Sequence, residues 1–98
     1  MKISWTPTAR KTYFNVLDYL EEAWSKREVQ NFADEVEKVL NQITENPDMF
    51  EASGKKKNIR KGYITRHNAL YYRVKPGKKE LELLTFWDNR QDPVKMMY

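Results

Sequence analysis

The sequence predicts an α+β domain of the order β-α-α-β-β-β, in which an antiparallel helical hairpin packs on one face of a mainly antiparallel four-stranded sheet. The chain has 98 residues, a common length for one compact domain, so a single domain over residues 1–98 is predicted. Apolar residues in the first half recur every three or four positions, which is typical of amphipathic helices. The second half instead carries short β-prone stretches separated by turn residues.

The first strand and the first helix are predicted from the opening residues. Lys2–Trp5 is short and β-prone. Thr6-Pro7 follows as a helix start, because threonine caps helices and proline is tolerated in the first turn. The helix is predicted from about Pro7 to about Trp24. Its apolar stripe consists of Ala9, Tyr13, Val16, Leu17, Leu20 and Trp24.

The second helix begins with a capping box, Ser25 followed by Glu28 three positions later. It is predicted to stop before Asn46-Pro47, since proline disfavours helix continuation. Its apolar stripe consists of Val29, Phe32, Val36, Val39, Leu40 and Ile43. Because only a corner at Ser25 separates the two helices, we expect them to form an antiparallel hairpin.

Three further strands are predicted at 59–65, 69–74 and 81–87. The connections between them are short turns, so neighbouring strands should be antiparallel. The last strand becomes apolar on both faces towards its end, which favours a central position in the sheet. The sheet face opposite the helices is expected to be open, concave and basic. Tyr71 and Tyr72 should point to opposite faces, one buried and the other lining that surface.

Composition and charge exclude several classes of function. The chain lacks cysteine and has one histidine, His67, so disulfides, thiolate catalysis, a Cys-based zinc site and a His-rich metal centre are excluded. No cofactor and no metal are expected. No uncharged run reaches the length of a membrane span, and no apolar stretch of signal-peptide length opens the chain. A cytoplasmic protein without a membrane partner is therefore predicted.

The net charge of +4 is divided unevenly along the chain. Residues 1–53 hold six bases and ten acids, a net charge of −4, whereas residues 54–98 hold twelve bases and four acids, a net charge of +8. An acidic half joined to a basic half indicates an anionic partner, with nucleic acid as the first candidate. The alternative is that the first half is simply a solvated helical region.

The candidate binding residues for such a partner lie in the basic half. Arginines on strands and strand ends bind phosphate or carboxylate through paired hydrogen bonds, and here they are Arg60, Arg66, Arg73 and Arg90. The connector lysines are Lys55, Lys56 and Lys57, which either contact phosphates or only keep the connector soluble. A carboxylate partner would suit this surface as well as a phosphate. His67 lies in a predicted turn, where we expect a solvated side chain.

Several segments together resemble the RelE/ParE superfamily of bacterial toxins, and the resemblance covers essentially the whole chain. They are the opening strand, the charged helix pair ending in residues 46–50, the basic segment 55–61, the Leu-Tyr-Tyr-Arg-Val strand at 70–74 and the closing segment 86–93. The resemblance implies a toxin of a type II toxin-antitoxin system, neutralised by a cognate antitoxin protein. RelE-like members cleave mRNA on the ribosome without a metal, whereas ParE-like members inhibit DNA gyrase.

The resemblance also assigns roles to residues. If the chain is a ribonuclease, its catalytic residues would be Arg90 as a phosphate-stabilising arginine, Arg60 or Lys61 as the basic group on the second strand, and Tyr98. Ala69 and Met96, however, occupy positions where the nucleases carry an arginine and a tyrosine. The Arg-Gln-Asp-Pro ending at 90–93 is more similar to the gyrase-directed branch. Gyrase is therefore the favoured target, with a RelE-like mRNA endoribonuclease and an inactive antitoxin-binding relative as alternatives.

Overall fold

Two helices and four strands follow one another in the predicted order, which confirms the β-α-α-β-β-β arrangement. The computed structural model describes residues 1–54, 56 and 58–91. The elements are β1 (Lys2–Trp5), α1 (Pro7–Ala23), α2 (Lys26–Glu45), β2 (Ile59–Tyr63), β3 (Asn68–Lys75) and β4 (Glu80–Asp88), with a short 3₁₀ turn at Pro76–Lys78. β2 ends two residues earlier than predicted. The reason is that the amides of Ile64 and Thr65 donate to the Asn68 carbonyl and close the turn.

The four strands form one sheet in the order β1-β4-β3-β2. β2 and β3 pair antiparallel, as do β3 and β4, whereas β1 lies parallel to β4 with Ile3 opposite Leu81. The predicted central position of the last strand is confirmed, since β4 has a neighbour on each side. A bulge interrupts the β3–β4 register, where Tyr71 pairs with Thr85 but Tyr72 pairs with Leu83.

Side-chain caps begin both helices at the predicted residues. The Thr6 hydroxyl accepts a hydrogen bond from the Ala9 amide at 3.1 Å. The same hydroxyl lies 2.7 Å from the Leu83 carbonyl, so it also ties the helix start to β4. The Ser25 hydroxyl accepts from the Glu28 amide at 3.4 Å. Each cap satisfies a backbone N–H that has no partner within the helix.

The main core lies between the helical hairpin and one face of the sheet. Its buried side chains come from both helices and from β3 and β4. Phe86 of β4 is the centre of an aromatic cluster, with ring centroids 5.7 Å from Trp5, 5.4 Å from Tyr13 and 6.4 Å from Phe32. Tyr72 of β3 is fully buried in the same core. This core fixes the sheet against both helices.

The sheet face opposite the helices carries a second, smaller apolar cluster. It consists of Ile59, Ala69, Tyr71 and Leu84, with Trp87 packed against it. Tyr71 and Tyr72 point to opposite faces as predicted, but both are buried, at 4% and 0% exposure. The prediction of an open, basic face is therefore wrong for its centre, because apolar side chains from three strands pack together there.

Three aromatic residues of the helical hairpin are exposed. Trp24, predicted on the buried stripe of α1, is 69% exposed, and Phe14 and Tyr19 are 53% and 52% exposed. Trp24 is the C-cap residue, and its backbone has left the helical conformation. It therefore no longer follows the stripe, and its assignment to the core is wrong.

The segment after α2 docks beside β2. Phe50 packs against the main core, and its ring would lie 3.0 Å from a Cβ atom at position 62, so Gly62 leaves the space that this ring needs. The Tyr72 hydroxyl donates a hydrogen bond to the Pro47 carbonyl at 3.0 Å. Ala52 then forms an isolated bridge with Arg60 at the edge of β2.

The hydroxyl of Thr12 is the acceptor for a backbone amide of the sheet, so removal of this hydroxyl should destabilise the folded protein. It accepts a hydrogen bond from the Phe86 amide at 2.9 Å, on a part of β4 that β1 does not reach. We expect Thr12→Val to lower the free energy of unfolding by about 1–3 kcal/mol, because the amide would lose its acceptor. Urea unfolding measures the change. Thr8→Val is the matched control, since Thr8 is exposed on the same helix. Equal losses in the two variants would show that the bond contributes nothing.

Candidate functional site

Lys61 of β2 projects on the sheet face opposite the helices, beside two tyrosines. Its ammonium nitrogen lies 5.2 Å from the ring centroid of Tyr63 and 5.7 Å from that of Tyr71. The placement follows from strand pairing, since Lys61 lies directly opposite Tyr71 in the β2–β3 register. Among the described residues no carboxylate pairs with Lys61, and Tyr63 is 58% exposed. The group offers a cation and the exposed ring of Tyr63 to a partner, whereas the ring of Tyr71 is buried beneath the lysine.

A surface depression of about 610 Å³ adjoins this lysine. Its walls are the segment 49–54 together with Lys61, Tyr63 and Tyr71. The segment is held there by backbone bonds across the edge of β2, where the Lys61 amide donates to Glu51 and the Ser53 amide to Ile59. The depression is therefore built on a fixed edge of the sheet.

The other basic residues of this face are already paired with an acid. Arg73 lies 3.4 Å from one carboxylate oxygen of Glu82, and Lys75 lies 3.1 Å from the other. Glu82 is only 20% exposed and sits between the two cations. It neutralises part of the positive charge that the sequence placed here. Arg73 remains a candidate for target binding, with its side chain 38% exposed.

Arg60 points to the helix side of the sheet, unlike its neighbour Lys61. Its guanidinium donates to the Phe50 carbonyl at 2.6 Å and lies 3.2 Å from a carboxylate oxygen of Asp48. These contacts hold the docked segment 48–50 in place. The sequence left open whether Arg60 or Lys61 supplies a basic group to the site, and the structure brings only Lys61 to the open face.

Arg66 and Arg90 lie at the end of the sheet where β3 begins and β4 ends. Arg66 is exposed in the β2–β3 turn. Arg90 follows β4, and its side chain donates two hydrogen bonds to Asp88, from Nε to Oδ1 at 2.9 Å and from Nη2 to Oδ2 at 2.6 Å. Hydrogen bonds from the Arg90 side chain hold the pKa of Asp88 below its ordinary value. His67 is exposed in the same turn, as predicted, and its carbonyl accepts from the Asn89 amide at 2.7 Å.

The remaining predicted site residues are distributed differently. Lys56 is exposed in the connector before β2. Lys55, Lys57, Tyr98 and Met96 lie outside the described residues. Ala69, where the nucleases carry an arginine, is completely buried in the smaller apolar cluster. The structure thus brings Lys61 and Arg73 to one face, and Arg66 and Arg90 to one end of the sheet.

A groove of about 740 Å³ lies between the two helices, near their connecting corner, and the end of the sheet that carries Arg90. We call it the hairpin groove. Its apolar lining includes the exposed rings of Tyr19 and Trp24, and its charged lining includes Glu28, Glu35, Asp88 and Arg90. Sequence reasoning missed it because it assigned Trp24 to the core. A signal was available, since Tyr19 falls outside the single apolar stripe of α1.

Neither a membrane span nor a metal centre is found within the described part of the chain. Neither of its helices combines the length and the apolar run that a bilayer crossing requires. No three His, Asp or Glu side chains in that same part come together as metal ligands.

Comparison with solved structures shows the fold. A chain from the chromosomal ParDE toxin-antitoxin system of P. aeruginosa superimposes with a TM-score of 0.72 at 14% identity, covering 90% of this chain and 95% of that one. The YoeB/ParE toxin from Agrobacterium tumefaciens superimposes with a TM-score of 0.64 at 15% identity, covering 90% of this chain and 98% of that one. These superpositions support the α+β fold described above.

Comparison at the level of sequence shows the family. No curated protein matches significantly. The profile of the family described as the ParE toxin of type II toxin-antitoxin systems matches residues 3–93, which is almost the entire sequence. The chain therefore belongs to the ParE toxin family of type II toxin-antitoxin systems.

Proposed function

We propose that this ParE-family toxin arrests growth by acting on DNA gyrase until a cognate antitoxin binds it. Membership of the family implies an antitoxin partner. The observation that carries the choice of target is the dispersal of the basic residues an RNA-cleaving toxin would need. Among the described residues, Arg60 points to the helices, Arg90 is held by Asp88, and only Lys61 reaches the open face without a carboxylate partner.

The chemistry of RNA cleavage makes this dispersal significant. Attack by the ribose 2′-hydroxyl needs a proton acceptor, a cation for the developing negative charge and a proton donor for the departing oxygen. These groups must converge within hydrogen-bonding distance of one phosphate. Arg90, whose side chain donates two hydrogen bonds to Asp88, would first have to release that carboxylate. Ala69 is buried and carries no cation. A gyrase-directed toxin requires no such convergence.

A RelE-like ribonuclease is the second candidate, and one observation favours it. Lys61 lies beside the exposed ring of Tyr63, and both aromatic rings and cations contact RNA in other proteins. In that case Lys61 would stabilise the cleaved phosphate. This role gives the experiment its discriminating variant.

The experiment compares the two targets directly. The purified protein is added to gyrase and supercoiled plasmid, and the same protein is induced in a bacterial host whose mRNA is sized. We expect trapped, gyrase-bound cleaved DNA and full-length mRNA. Lys61→Ala and its control Lys38→Ala, an exposed lysine on α2, should both leave mRNA intact.

Two results would overturn the proposal. The first is the appearance of shortened mRNA whose amount falls about a hundredfold in Lys61→Ala but not in Lys38→Ala. This result would identify a ribonuclease. Unaffected growth with neither kind of damage would identify an inactive relative that serves mainly to bind antitoxin.

A further inference from the structure

One end of the sheet collects basic residues that are far apart in the sequence. β1 and β4 are parallel and both begin at this end. β3 ends there and β2 begins there, because β3 is antiparallel to both β2 and β4. The 3₁₀ turn at Pro76–Lys78 joins β3 to β4 at the same place. We call this region the basic strand end, and its basic residues are Lys2, Lys56, Arg73, Lys75, Lys78 and Lys79.

Hydrogen bonds hold the backbone of the basic strand end in place. The Lys2 amide donates to the Lys79 carbonyl at 3.0 Å, and the Lys79 amide donates to the Pro76 carbonyl at 3.1 Å. The connector before β2 is attached through the Asn58 carbonyl, which accepts from the Val74 amide at 2.8 Å. The basic side chains therefore project from a backbone of fixed shape, although each lysine keeps a flexible stem.

Acidic side chains offset only part of the charge at this end. β4 contributes Glu80 and Glu82. The helical layer contributes Glu45, the last residue of α2, since the Met1 amine donates to the neighbouring Thr44 carbonyl at 3.4 Å. Six bases and three acids leave the basic strand end with a net charge of +3.

Three lysines of the basic strand end remain available to an anionic partner. Lys2, Lys78 and Lys79 are exposed, and none of them forms an ion pair with a residue that the structure describes. Arg73 and Lys75 share Glu82 instead. Exposed cations without a nearby counter-charge produce a positive potential, which attracts anions from solution.

We propose that the basic strand end binds the phosphate backbone of duplex DNA and thereby holds the toxin on the DNA that gyrase cleaves. This inference rests on the proposed action on gyrase, an enzyme that works on duplex DNA. Lysine suits such a contact because it binds phosphate as a point charge and requires no particular base sequence. The contact lies apart from both the hairpin groove and the depression beside Lys61.

The width and the composition of the basic strand end favour a duplex over other anions. Four strands spaced by about 4.8 Å make an edge about 14 Å wide. A DNA duplex presents roughly eight phosphate charges over that length. Positions 1–2, 54–58 and 75–80 hold no aromatic residue, so the unstacked bases of a single strand would find no stacking surface there.

The test measures binding of the full chain to a fluorescent duplex of about 20 base pairs and arbitrary sequence, by anisotropy between about 50 and 200 mM salt. Three lysines on phosphates predict a slope of about −3 for log K against log salt, since each contact contributes about 0.9. Lys2→Gln with Lys78→Gln should reduce the slope to about −1 and weaken binding at the lowest salt about tenfold or more. Lys11→Gln with Lys38→Gln, which removes two exposed lysines of the helices, should keep the wild-type slope.

Three results would overturn the inference. They are no binding of the duplex at the lowest salt, equal losses in the two double variants, and tighter binding of single-stranded DNA or of polyglutamate with the same number of charges. The anisotropy measurement contains no gyrase. A toxin that traps gyrase on cleaved DNA but does not bind the free duplex would therefore refute this inference and leave the proposed function intact.

Discussion

Phe86→Ala is expected to lower the free energy of unfolding by about 3–5 kcal/mol, the usual cost of deleting a buried aromatic ring. Phe86 is 3% exposed and its ring contacts those of Trp5, Tyr13 and Phe32. These three residues belong to β1, α1 and α2, so one side chain of β4 joins three other elements. A domain of this size is stabilised by only about 5–15 kcal/mol in total. The variant should therefore be close to unfolding at ambient temperature.

Urea unfolding followed by circular dichroism measures the effect of this substitution. Phe14→Ala is the matched control, because Phe14 is 53% exposed and, among the aromatic pairs of the described residues, its ring contacts only that of Tyr13, edge to face. We expect the control to lose less than about 1 kcal/mol. Similar losses in both variants would mean that the cluster around Phe86 is not the centre of the core.

The second large effect is an alkaline loss of stability that depends on Tyr72. Burial raises the pKa of its phenol to about 12, while the charge of Arg60 lowers it and that of Asp48 raises it further. The hydroxyl also donates to the Pro47 carbonyl at 3.0 Å, and only the protonated form can make that bond. The folded state therefore retains a proton that the unfolded chain releases near pH 10.

The sign of the pH dependence follows from this difference. The contribution of Tyr72 is fully present below about pH 10 and is lost as the pH rises towards the folded-state pKa of about 12. The two values together amount to a loss of about 3 kcal/mol across that window. Lysines titrate in the same range, so the wild-type curve alone would not isolate the phenol.

Comparison of variants isolates the tyrosine. Tyr72→Phe should be about 1 kcal/mol less stable than wild type near pH 8, because the bond to Pro47 is gone. Its stability should then fall less steeply above about pH 10, so that the two curves converge or cross. Tyr63→Phe, at an exposed ring, should keep the wild-type slope. Parallel curves for wild type and Tyr72→Phe would contradict the role of the buried phenol.

The fold could be predicted because its signals are local. Thr6 and Ser25 start helices through bonds to amides three positions away, and such bonds depend on neighbouring residues alone. The central position of β4 was also readable, since a strand between two neighbours becomes apolar on both faces. The pairing of β1 with β4 is not local, since the helical hairpin separates the two strands along the chain.

The candidate site was predicted less well because it depends on register. Side chains of a strand alternate between faces, so a shift of one residue exchanges the two sets. Arg60 and Lys61 were equivalent in sequence, yet one secures the segment 48–50 and the other meets Tyr63 and Tyr71 on the open face. The alternation of side chains between the two faces therefore decided which groups Arg60 and Lys61 can contact.

The sequence by itself determined the family, the order of elements, the absence of thiol chemistry and the separation of acidic from basic halves. Only the tertiary structure decided which charges remain available to a partner. Glu82 pairs with both Arg73 and Lys75, and Asp88 pairs with Arg90, whereas Glu28 and Glu35 form no ion pair among the described residues. Charge counts are additive along a chain, but ion pairs form between residues that folding brings together, so the net charge of a segment does not give the charge that its surface presents to a partner.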